Sequence, residues 1–330
     1  MPEFPWPAGA ATGVGSLPGT DIAEAQRLIF GELPELPHLA ELPARGPGAD
    51  MIGRGAGFLV DMPVQLYAGR WQIAPRPGRD IRRTADLLDR DLDQLAEQGE
   101  GFAGALKIQA AGPWTLTAGL DLQIGGRLLR DAGAVRDLTD SLAEGLRRHV
   151  ADVRKRLPRA TPLLQLDEPS LPTVLAGHVP TESGLSAYRA VDGPDAATAL
   201  RTIIEAADVP VIVHCCAADV PLTVVRDAGA AAVGLDLALL RDLDPLGEAI
   251  EAGLGLFAGA APTSANGPAP SSAAIADRVR TVWTRLGFPV SRLPGQVVVT
   301  PACGLAGATP EFARAVLTAC REAGRRLAEA

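Results

Sequence analysis

From residue 11 to residue 328 the chain alternates short β-branched runs with longer amphipathic ones, about eight times over. Runs of strand character fall at 11–14, 57–60, 106–110, 163–166, 209–213, 231–235, 254–258 and 297–300. Helical periodicity fills the intervals at 21–30, 84–99, 134–157, 196–206, 221–228, 246–252, 272–286 and 310–328. Ser, Thr or Asp often precedes these helices and Gly often closes them, as at Gly229 and Gly253. The last helix opens on Thr309-Pro310-Glu311, a proline in the first turn with an acid beside it. Strands that alternate regularly with helices predict an α/β fold, here a (β/α)8 TIM barrel. No internal repeat or linker divides the chain, so residues 1–330 are expected to form one domain, with a loop over 262–271.

The barrel expectation places the polar chemistry. Gly15-Ser16, Asp167-Glu168, His214 to Cys216, Asp236 and Cys303 each follow a predicted strand within a few residues. In a parallel barrel all such positions converge on one rim, where active sites are built. Composition narrows the function classes. Net charge is −8, with no basic stripe interleaved with aromatics, which argues against nucleic-acid binding. No apolar stretch is long enough to span a membrane, and the opening Met1-Pro2-Glu3-Phe4 lacks the cationic start of a secretory signal. Four cysteines, two of them adjacent, make a poor disulfide framework, so a reducing cytoplasm is expected.

Those cysteines are better read as ligands. On an extended segment successive side chains alternate, so His214 and Cys216 face one way and Cys215 the other. With Cys303 on a second loop they make an N/S/S set that suits a zinc ion with a position left for substrate. Cys215 and Cys320 read as small buried residues. Asp236 is a candidate fourth ligand, a partner for His214, or a helix cap. Asp167 and Glu168, ahead of Pro169, offer carboxylates for a substrate ammonium, or a helix start. Gly15 and Ser16 offer donors to a carboxylate, or form an ordinary turn. Trp114 is either a stacking surface for a flat donor or a rim aromatic. His38, His149 and His178 carry no partner pattern.

Four segments together resemble the C-terminal catalytic barrel of cobalamin-independent methionine synthase, within the fold group that includes uroporphyrinogen decarboxylase. They are Gly13-Val14-Gly15-Ser16-Leu17-Pro18, Gln165-Leu166-Asp167-Glu168-Pro169, Val213-His214-Cys215-Cys216 and Pro301-Ala302-Cys303-Gly304-Leu305, in family order over most of the chain. The resemblance implies zinc held by His214, Cys216 and Cys303, with homocysteine at Ser16 and Asp167. It implies methyl transfer to the homocysteine thiol, from methyl-folate or a methyl-corrinoid protein. A related small thiol as acceptor, or a non-catalytic zinc-binding barrel, are the alternatives.

Three departures from the family stand out. Its zinc Glu corresponds to the shorter Asp236. Its catalytic His corresponds to Ala260, so no catalytic residue is assigned there. Its Glu before the second helix corresponds to Arg45-Gly46-Pro47-Gly48, which holds no acid. The family's N-terminal folate-binding barrel is expected to be absent. The missing His bears on the donor, because methyl-folate releases a nitrogen that needs protonation.

Overall fold

The computed structural model describes residues 4–264 and 270–329; part of the loop expected at 262–271 lies outside the described residues. Asp21 caps α1 (Ile22–Glu32) by accepting from the N–H groups of Ala23 and Glu24, and Asp50 caps α2 (Met51–Ala56) through Gly53 N–H. A hairpin follows, β1 (Val64–Tyr67) and β2 (Arg70–Ile73). Its turn residues Ala68 and Gly69 have φ of 48° and 78°, the left-handed pair of a tight hairpin turn. Then come α3 (Arg79–Gln98), β3 (Gly104–Ala111), α4 (Pro113–Gly119), α5 (Ala132–Arg156), β4 (Ala160–Asp167), α6 (Leu171–Leu175) and α7 (Gly193–Ala207). The chain finishes with β5 (Val211–Cys215), α8 (Leu222–Asp227), β6 (Ala232–Asp236), α9 (Asp244–Glu251), β7 (Gly255–Ala261), α10 (Ser272–Leu286), α11 (Leu293–Gln296), β8 (Val297–Pro301) and α12 (Pro310–Ala328).

Strands β3 to β8 form one parallel sheet in chain order. Parallel neighbours require helical crossovers, which explains the alternation in the sequence. The expected eight strands are therefore six, and the two outer strands meet short extended segments instead. Thr12 N–H donates to Val299 (3.1 Å) and Val299 N–H to Ala10 (3.1 Å) beside β8. Leu39 and Lys107 exchange similar bonds beside β3, Leu39 N–H to Lys107 and Lys107 N–H to Pro37, each 2.9 Å. The segments join each other through Leu17 N–H to Glu41 (2.9 Å) and Glu41 N–H to Gly15 (3.2 Å). The Gln26 amide serves 37–41 from α1: it donates to His38 O (2.8 Å) and accepts from Ala40 N–H (3.0 Å).

The strand expected at 57–60 is not one. Gly57 closes α2, its N–H reaching Gly53 O at 3.1 Å, and Phe58 is buried against α5, where any side chain at Gly145 would strike the Phe58 carbonyl. A short apolar run reads alike as strand or buried turn.

Inside the sheet, alternation sorts residues into layers. Ala105, Leu163, Ile212, Ala232, Phe257 and Val298, with Leu36, pack as an apolar floor at the N-terminal ends of the strands. Trp6 seals it, edge-on to Phe257 at 5.1 Å, its indole N–H donating to Gly295 O at 3.0 Å. Gly255 leaves the space; a Cβ there would lie 2.5 Å from the Trp6 ring. Two residues further along the same strands come Lys107, Gln165 and His214. The site stands on this floor.

Candidate active site and metal centre

His214 faces inward near the end of β5, Cys216 lies just beyond that strand and Cys303 two residues past β8. Their candidate ligand atoms lie within 4.8 Å of one another, with Cys216 Sγ 2.8 Å from Cys303 Sγ. Among the described residues no other His, Cys, Asp or Glu cluster has this geometry. The imidazole is oriented from behind: Nδ1 lies 2.8 Å from Asp167 Oδ1, which also accepts from Gln165 Nε2 at 2.7 Å. Nδ1–H thus donates to Asp167, leaving the Nε2 lone pair free, the tautomer a metal needs. That Nε2 is buried and has no hydrogen-bond partner. A buried nitrogen without a partner beside two sulfurs fits a zinc ion.

The four cysteines are free thiols. The Cys216 thiol donates to Cys303, drawing the Cys303 pKa down to about 6 and raising that of Cys216; nearby His214 and the Gly304 N–H favour the Cys303 thiolate further, and burial opposes it. Burial alone dominates at Cys215, pushed up to about 12, and at Cys320, which is buried in α12. Both are inert on that account. His38 and His149 are buried and neutral, each lowered to about 3 by burial.

The loop carrying Cys303 folds over Gly15-Ser16. Leu305 N–H donates to Ser16 O at 2.8 Å, and a Cβ on Gly304 would lie 2.0 Å from Ser16 Oγ, so a side chain there would push the hydroxyl aside. Ser16 and Asp167 therefore flank the same thiols and imidazole.

The other candidates are placed elsewhere. Glu168 is fully buried beneath α4, accepting from Trp114 N–H (2.9 Å), Thr115 N–H (2.7 Å) and Thr115 Oγ1 (2.8 Å). It caps that helix and does not face a substrate. Trp114 is likewise 3% exposed, with its indole N–H on Ala196 O at 3.1 Å, which removes it as a stacking surface. Asp236 Oδ1 accepts from Ala238 N–H at 2.8 Å and caps the turn that follows β6, outside the ligand cluster. Ala260 sits at the irregular step of β7 and is buried in the apolar layer that includes residues of α10 and α12.

Two residues absent from the motif reading lie beside Asp167. Lys107, fully buried, donates to Val14 O at 2.9 Å and Gln109 Oε1 at 3.2 Å; burial lowers its pKa to about 8, against the pull of Asp167 and Glu41. Glu41, at the end of the 37–41 segment, faces Arg54, Asp167, Lys107 and Gln109, and burial raises its pKa. Glu41 lies four residues before Arg45 and ahead of α2. One signal for Lys107 was available: a lysine inside an apolar strand must find counter-charges.

A sequence profile of the catalytic domain of cobalamin-independent synthases matches residues 9–326. The chain belongs to this family. Its fold is that of a B12-independent methionine synthase from Shewanella sp. W3-18-1, solved with selenomethionine (TM-score 0.62, 12% identity, 98% of each chain covered). It also resembles a methyltransferase from Methanosarcina mazei (TM-score 0.57, 13% identity, 98% of this chain and 94% of that one). No curated protein sequence matches the chain. As a member of the cobalamin-independent synthase family it is a homocysteine methyltransferase. No helix among the described residues is long and apolar enough to cross a membrane.

Proposed function

We propose that residues 1–330 form a single catalytic unit that holds zinc through His214, Cys216 and Cys303 and makes methionine from homocysteine in the cytoplasm. The segments 10–12 and 37–41 serve in this reading as the first two staves of an eight-stave barrel. The observation that carries it is the partnerless, buried His214 Nε2 among two thiols within 4.8 Å. Zinc in that set would supply a Lewis acid that deprotonates a coordinated substrate thiol at neutral pH.

The chain's own residues do the rest. Asp167 accepts the Nδ1–H hydrogen bond of His214 and so turns the Nε2 lone pair towards the thiols. Asp167 and Glu41 present two carboxylates to the substrate ammonium, with the buried Lys107 ammonium attracting both. Ser16, locked under the Gly304 turn, stands ready to meet the substrate carboxylate. No acid stands at Ala260 to protonate a departing nitrogen, and Trp114 is buried. Both facts favour a methyl-corrinoid, from which the thiolate sulfur takes the methyl group while cobalt keeps the bonding electron pair.

Zinc-loaded protein with homocysteine should turn over methyl-corrinoid, and methyl-folate slowly or not at all. Robust turnover with methyl-folate would refute the donor assignment. Failure with both donors, or of zinc to bind, would refute the enzyme reading of this site.

A further inference from the structure

Buried charges continue outward from the site to the helix layer. Asp91 on α3 is fully buried and accepts from Arg45 Nη1 (2.7 Å) and Nη2 (2.9 Å), and from Arg54 Nη1. Arg54, on α2 and 2% exposed, forms an ion pair with Glu41, Nε to Oε1 at 3.1 Å, without the alignment of a hydrogen bond. Arg45 also donates from Nε to Leu42 O at 3.3 Å. Asp91 thereby anchors both the turn that follows Glu41 and the guanidinium that faces its carboxylate. Two cations are balanced by Asp91 and Glu41 only while Glu41 is ionised.

Burying four charges is costly, and apolar residues of similar volume commonly serve a core as well or better. The network ends at Glu41, whose side chain is 17% exposed and which faces Asp167. We propose that Arg54, clamped by Asp91 and Arg45, is a positioning residue that presents Glu41 as an anion to the ammonium group of the amino-acid substrate. This rests on the reading of the site given above. It adds that selection for an α-amino thiol, as against a plain thiol, is set from outside the barrel wall.

The test compares homocysteine with 4-mercaptobutyrate, the same thiol acid without its amino group. Arg54→Met keeps the Arg45–Asp91 pair, and Arg54→Lys restores a cation if the first variant folds poorly. One hydrogen bond to a charged group corresponds to about a 10- to 100-fold change in affinity. Arg54→Met should therefore raise KM for homocysteine by about that factor with kcat little changed. Zinc content and binding of 4-mercaptobutyrate should stay at wild-type values, and Arg54→Lys should recover part of the loss. Glu41→Gln should lose as much, and the double variant no more than the worse single one.

Equal discrimination between the two thiols in wild type and Arg54→Met would overturn the proposal. So would a parallel loss of both thiols and of zinc, the mark of a merely structural role. A wild-type protein that binds zinc but no homocysteine would overturn the functional reading itself, and this inference with it.

Discussion

The two inner layers of the sheet are built on the same strands, a single alternation step apart, and they obey opposite rules. The floor of Leu36, Ala105, Leu163, Ile212, Ala232, Phe257 and Val298 is apolar throughout and closed by Trp6. The layer above buries Lys107, Gln165 and His214, and leads on to Asp167, Gln109 and the paired thiols. The floor gains stability from each buried side chain, roughly 1.5–3 kcal/mol for a large one. The upper layer must instead satisfy every donor and acceptor, and His214 Nε2 is left over. The sheet thus separates what holds it from what works in it by about one residue pair.

The sharpest way to break that separation is Phe257→Ala. It should destabilise the fold by about 3–5 kcal/mol in denaturant melts, yet leave zinc bound per folded molecule unchanged. Loss of metal from the folded variant would mean that the layers are coupled. Cys303→Ser is the converse. Zinc affinity should fall beyond the roughly 100-fold upper range for removing an outer partner, while the melt of the metal-free protein moves little. Asp167→Asn, which disturbs only the support of His214, should cost about 10- to 100-fold in a chelator competition; an unchanged value would place the orienting role elsewhere.

The last test concerns Glu168. Burial raises its pKa from 4.5 to about 7 despite the bonds from Trp114 and Thr115. Between those values the folded state holds more protons than the unfolded one, so stability falls as pH rises. The contribution is full below 4.5 and gone above about 7. Glu168→Gln should flatten this segment of the melting-versus-pH curve, and a curve parallel to wild type would remove Glu168 from the account.

Legibility in the sequence followed the range over which each feature is specified. His214, Cys216 and Cys303 were readable because their chemistry depends on residue type at strand ends, and the strands between β3 and β8 were readable from their apolar runs. The segments 10–12 and 37–41 were harder, since each pairs only briefly and the latter relies on Gln26. Asp167 and Glu168 are adjacent, so alternation turns one inward and the other away; residue type alone assigned both to substrate. Trp114 stayed open between a stacking surface and a rim aromatic because an indole in the first turn of a helix can point to a cavity or to α7, and only packing decides. Glu41 was missed because its partners lie at 54, 107 and 167, distances that no local pattern spans.

The Trp6 seal has a consequence for the order of folding. Its indole bonds to Gly295, 289 residues away, and Ala11 meets Val299. Contacts of such separation form late, after loop closure has been overcome. During synthesis the Trp6 segment must wait for β8 to emerge before the floor can shut, while β3 already has β4 beside it. Cys303 lies two residues past β8, so the sulfur pair can assemble only once the stretch of polypeptide that shuts the floor is in place.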